Sequence, residues 1–196
     1  MQKDLRVVVG IVAAMWIVRL VDWVLPVDLN QFGMVPRTLQ GLLGIITMPF
    51  LHAGWGHLIG NTIPLCILLF ILIGSRSDYW EVLASIVVFG GLLLWCFGRS
   101  AEHIGASGLV YGLVAFLIAS GIAERKVVPI FVSLVVGFLY GTTLLSGVLP
   151  TIGSHVSWDG HLFGAIAGAL TAFAVFKFKD EDVARTDIAR SARTSQ

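Results

Sequence analysis

Apolar residues dominate this chain in long blocks separated by short polar breaks, and neither strand-like alternation nor an amphipathic helical stripe governs the pattern. A helix needs ~20 largely apolar residues to cross the hydrocarbon core of a bilayer. On that basis the blocks predict six membrane-spanning helices, at residues 7–25, 57–73, 79–98, 107–123, 127–149 and 159–178. The stretch 41–51 is apolar too, but it is short, broken by glycine and stopped by Pro49, so it reads as a re-entrant or interfacial part of the first outer loop. The expected division is a cytoplasmic N-terminus (1–6), a six-span core (7–178) and a polar, disordered cytoplasmic tail (179–196).

Charge sets the orientation. If both termini are cytoplasmic, the inner segments hold Lys3, Arg6, Arg76, Arg125, Lys126, Lys177, Lys179, Arg185, Arg190 and Arg193. The outer loops then hold only Arg37 and Arg99, while Arg19 lies within the first span near Asp22, a candidate ion-pair partner. This asymmetry follows the positive-inside rule. Composition agrees: 57% of the 196 residues are hydrophobic and 13% charged, against about a quarter charged in a soluble domain. The net charge of +1 leaves no basic footprint for nucleic acid. Cys66 and Cys96 lie in separate apolar runs and read as buried small hydrophobes, without disulfide or metal spacing. The first run is long and has no cleavage motif after it, so it reads as a retained span.

Against this background a few polar residues stand out: His57, Asn61, Ser107 and His161. Polar groups buried in a membrane are costly and mark function by default. In this topology spans two, four and six all run inward from the outer face, and these residues occupy their first turns, so all four share one depth. His57 and Asn61 are i,i+4 neighbours on one helix face, as are Ser107 and Tyr111. Gly164-x-x-x-Gly168 on span six is a small-residue stripe that permits close backbone approach, and Gly108, Gly112 and Ala115 offer a matching stripe on span four. Each residue alone has a plainer reading. Ser107 could cap its helix, His57 and Asn61 could be interhelical glue, and His161 could be an interfacial histidine. Capping, however, predicts no matched depth across three helices. His103 and His155 read as surface residues of outer loops, and Asp159 as solvated or a helix cap.

Three ordered motifs, His52-x4-His57-x3-Asn61, Gly105-Ala106-Ser107-Gly108 with Tyr111, and Gly160-His161-x-x-Gly164-x3-Gly168, resemble those of the rhomboid family of intramembrane serine proteases. The resemblance covers about residues 7–178 and implies an all-α, six-helix bundle with a partly membrane-embedded first loop. It further implies Ser107 as nucleophile and His161 as general base, a dyad without a carboxylate. His57, Asn61 and the Ser107 N–H would form the oxyanion hole, Tyr111 would pack on His161, and His52 would support the site. Gly105 and Gly108 would allow the tight turn at the serine. No cofactor is implied, and the partners would be single-span membrane proteins in a bacterial inner membrane. Two features depart from the family pattern: the first loop has no Trp-Arg pair, and the acidic residue expected after Gly74 is displaced to Asp78 or Glu81. A non-catalytic protein of the same fold that holds transmembrane clients is the alternative. A transporter ranks last, since the midplane has no carboxylate.

Overall fold

The computed structural model describes residues 2–149 and 157–194, with side-chain exposure for 5–149 and 157–177. The described chain is all-helical: α1 (Gln2–Val24), α2 (Leu39–Thr47), α3 (Trp55–Ser75), α4 (Tyr79–Phe97), α5 (Ser107–Glu124), α6 (Val127–Gly147) and α7 (Trp158–Thr194), with single 3-10 turns at Leu29–Phe32 and Met48–Phe50. Six of these helices are long and apolar enough to cross a membrane: Leu5–Val24, Trp55–Ser75, Tyr79–Phe97, Ser107–Glu124, Val127–Gly147 and Trp158–Lys177. Large apolar side chains such as Phe138, 89% exposed, point away from the bundle, where lipid would cover them.

The remaining helix, α2, belongs to the first loop. Thr38 caps it by accepting a hydrogen bond from the Gly41 N–H (2.9 Å). Nine residues rise only about 14 Å, too short to span, so α2 lies against α4. A Cβ on Gly91 of α4 would come within 2.6 Å of the Ile45 side chain, so that glycine makes room for the contact. The Trp95 indole N–H donates to the Thr38 carbonyl (2.8 Å), and the Arg37 guanidinium donates to the Gly98 carbonyl and the Ser100 hydroxyl, both at 2.8 Å. These bonds tie the loop to the C-terminal end of α4.

Helix α5 is the central post, with 72% of its span buried, whereas α6 is peripheral, with only 6% buried. The sequence explains the difference. α5 carries Gly108, Gly112, Ala115, Ala119, Ser120 and Gly121, which let other helices approach its backbone, while α6 presents Phe131, Leu134 and Phe138 outward. The sharpest approach is to α7. A Cβ on Gly164 would lie 2.1 Å from the Gly108 carbonyl oxygen, and one on Gly168 would lie 1.9 Å from that of Gly112. At the other end of α5, Arg76 pairs with Asp78 (2.8 Å) and with Glu124, closing the α3–α4 turn onto it.

Helix α7 continues to Thr194, and residues 178–194 contain no glycine or proline to interrupt a helix already begun in the sixth span. Two expectations are corrected. His103 is buried rather than at the surface, since its backbone forms an antiparallel bridge with Met34 and its ring is enclosed. Asp159 is buried and ion-paired with Arg99, not solvated. His155 lies outside the described residues.

Candidate active site

The site is assembled from the N-terminal ends of three helices. His57 and Asn61 come from the first turns of α3, Ser107 opens α5, and His161 sits in the first turn of α7. All four line one cavity of about 560 Å³, together with Ala53, Glu102, Ile104, Tyr111 and Ser157. By parity of the six spans, this face is opposite the one carrying both ends of the bundle.

Ser107 is not the helix cap. Ala106 occupies that position, and no side-chain cap bond is made. The hydroxyl is therefore not consumed by the helix, while the first-turn N–H groups of α5 lack intrahelical acceptors and suit an anion. Just before it, Gly105 adopts φ +108°, a left-handed conformation that favours glycine. A Cβ there would fall 2.6 Å from His57 Nε2 and 3.3 Å from Asn61 Nδ2. The turn into Ser107 thus runs hard against both side chains. Asn61 Nδ2 is buried without a hydrogen-bond partner. Leaving a buried donor unsatisfied costs about 1–3 kcal/mol, so the amide is held in a form that suits an arriving acceptor.

His161 is fixed from two directions. Its ring stacks on Tyr111 with centroids 4.1 Å apart and planes within 4°. Its Nδ1 lies 3.0 Å from the Gly147 carbonyl oxygen, which can only accept, so Nδ1 carries the proton and Nε2 keeps its lone pair. The Tyr111 hydroxyl donates to the Thr143 carbonyl (3.0 Å), so the C-terminal turn of α6 orients both rings. The Gly147 carbonyl fills the tautomer-setting place that a carboxylate takes in a triad. Asp159 points elsewhere: it accepts from the Arg99 backbone N–H (2.9 Å) and from the guanidinium (3.2 and 3.3 Å). Among the described residues no hydrogen bond joins Ser107 to His161.

His52 backs the cavity. It is buried, its Nδ1 donates to the Phe50 carbonyl (3.3 Å), and its ring meets that of His57 edge-on at 5.0 Å. Burial and the neighbouring His57 hold its pKa down at about 4, against the opposing pull of the Phe50 carbonyl. This ring is therefore neutral over the physiological range. Nearby, Arg19 and Asp22 form an ion pair, and the guanidinium lies over Trp55.

Motif reading missed a polar girdle at the C-terminal end of α4 and the N-terminal ends of α5 and α7. The Ser157 hydroxyl donates to His103 Nδ1 (2.6 Å), while His103 Nε2 donates to the Arg99 carbonyl (3.2 Å). Ser157 also accepts from the Gly160 N–H (3.3 Å), so it anchors the turn that carries His161. The Ser157-x-Asp159 pattern at a helix start was the available signal, but its partners come from a loop some 55 residues away. A second cavity, about 320 Å³, shares Asn61, Ser107 and Tyr111 with the first and opens between α3 and α6, where Gly60, Ile63, Pro64, Leu139 and Tyr140 line it. Pro64 removes the N–H that would bond the Gly60 carbonyl within α3.

Comparison with known proteins identifies the family. The family model described as Rhomboid domain matches residues 40–178. An uncharacterized protein of Mycobacterium tuberculosis is 42% identical over 171 residues, covering 83% of this chain and 71% of the relative. One from Mycobacterium leprae is 38% identical over 170 residues, covering 82% and 67%. RHOMBOID-like protein 1 of Arabidopsis thaliana is 30% identical over 136 residues, covering 66% of this chain and 33% of the relative. No solved structure matches. With a family model covering well over half its length, the chain belongs to the rhomboid family.

Proposed function

We propose that this multi-pass membrane protein is an intramembrane serine endopeptidase. The observation that carries the reading is the convergence, in one cavity, of an uncommitted serine at a helix N-terminus, a histidine with a fixed tautomer and an amide donor without a partner. Ser107 Oγ attacks the scissile carbonyl while His161 Nε2 takes its proton. Asn61, His57 and the Ser107 N–H stabilise the oxyanion as it forms. The proton then passes to the leaving amine, and water deacylates the serine by the same steps in reverse. The substrates are transmembrane segments of single-span proteins, which reach the serine from lipid between α3 and α6 along the second cavity. A helical substrate must unwind there, since its backbone groups are satisfied only internally in lipid. The Lys and Arg distribution supports cytoplasmic termini, with the site at the outer face of a bacterial inner membrane.

The test is cleavage of a fluorogenic transmembrane substrate by purified protein. Wild type is expected to cleave it and Ser107→Ala to fall to background; equal rates would remove Ser107 from the mechanism. One observation favours a second reading, a non-catalytic binder of transmembrane clients: the two dyad residues are not hydrogen-bonded to each other. In that case wild type would bind the substrate and cut none.

A further inference from the structure

The lip of the cavity carries a charge that the chemistry above does not use. The loop between α4 and α5 is pinned by the bridge between Met34 and His103, with N–H to carbonyl distances of 2.9 and 2.8 Å. Side chains of an extended segment alternate sides. His103 turns into the protein toward Ser157, and its neighbours Glu102 and Ile104 both line the cavity. Gly33 lies directly beneath them: a Cβ there would sit 2.7 Å from the Ile104 side chain and 3.0 Å from Glu102 Cγ. Two loops thus hold this acidic and apolar pair at the mouth.

Glu102 is the only carboxylate among the described residues lining that cavity. It has no ion pair or hydrogen-bond partner among the described residues, and the outer-face arginines are engaged elsewhere. Arg19 pairs with Asp22, Arg99 pairs with Asp159, and Arg37 donates to backbone carbonyls and Ser100. Partial burial raises the Glu102 pKa, and Asp28, whose carboxylate accepts from the Asn30 N–H, adds like charge in the same direction. Among the described residues, no cation compensates the Glu102 carboxylate at the mouth of the cavity.

We propose that Glu102 makes this site select transmembrane segments that carry a lysine or arginine beside the bond to be cleaved. The inference rests on the protease reading of the same cavity and names its substrate class. Outer flanks of membrane spans are poor in Lys and Arg, so an acidic reader at the outer face singles out a minority of segments.

The test compares three peptides spanning the membrane, identical except for Lys, Gln or Glu next to the scissile bond, in bicelles. Cleavage is measured with wild type, Glu102→Gln and Glu102→Lys. Binding of fluorescent versions is measured by anisotropy in the same three forms carrying Ser107→Ala. Wild type should prefer Lys over Glu by roughly threefold or more at low salt. The ratio should approach one in Glu102→Gln, which is nearly isosteric and removes only an exposed charge, and it should invert in Glu102→Lys. Raising salt from ~0.05 to ~1 M should compress the wild-type ratio. Equal Lys-to-Glu ratios in all three proteins would overturn the proposal. A Glu102-dependent Lys preference in binding, with no cleavage by wild type, would support the charge recognition while refuting hydrolysis.

Discussion

At the residue scale the proposed chemistry depends on groups held ready rather than groups already bonded. Asn61 Nδ2 is buried without a partner beside the Gly105 turn, and as an oxyanion donor it gives up nothing when the transition state forms. Asn61→Ala should lower kcat by ~10²-fold with KM little changed, measured on a transmembrane substrate. An equal rise in KM with kcat intact would make the residue a ground-state contact instead. His52 carries a different prediction. Folded, it resists protonation down to about 4, whereas unfolded it titrates near 6.5. The unfolded state therefore binds more protons in that window, and stability falls as pH drops through it, then levels off below. The loss is ~3 kcal/mol, so His52→Gln should show a visibly smaller drop in thermal midpoint between pH 7 and pH 4. Asn61, with Ser107 and His161, was legible in the sequence because polar side chains are conspicuous in apolar runs, whereas His52 was suggested only by the family resemblance. The Gly147 carbonyl was not legible, since a backbone acceptor from another helix has no side-chain signature. Asp159 was misread for a related reason: its partner Arg99 stands 60 residues earlier, and only folding brings them together.

At the scale of elements the decisive contact is the seam between α5 and α7, which sets the separation of the helices bearing Ser107 and His161. Gly164 and Gly168 meet the backbone carbonyls of Gly108 and Gly112, so an added methyl has no flexible atom to displace. Gly164→Ala should destabilise the protein by about 1–3 kcal/mol and reduce activity with it. Gly137→Ala on α6, where a Cβ meets nothing within 4 Å, should change stability by less than about 0.5 kcal/mol. Equal thermal midpoints for the two variants would contradict the seam. The small-residue spacing was readable from the sequence, because close packing in lipid demands small residues at a fixed interval. The bridge between Met34 and His103 was not readable, since one isolated pairing leaves no alternating run to detect.

At the scale of the molecule, six spans and their boundaries followed from hydrophobic length alone, because the bilayer imposes that length on any helix that crosses it. Which helices are central was less visible: α5 and α6 are similarly apolar, yet one is buried and the other peripheral. The peripheral place of α6 implies a route. In a background with Cys66 and Cys96 replaced by alanine, joining cysteines at Ile63 and Leu139 with a bifunctional thiol reagent should block a transmembrane substrate. Reaction of Ser107 with a small probe should be unaffected, and unimpaired cleavage after full cross-linking would exclude that path. An activated serine served by a histidine from another span should react with a fluorophosphonate probe in detergent-solubilised protein, compared as wild type, Ser107→Ala and His161→Ala. Wild type alone should be labelled, and equal labelling of all three proteins would rule that dyad out.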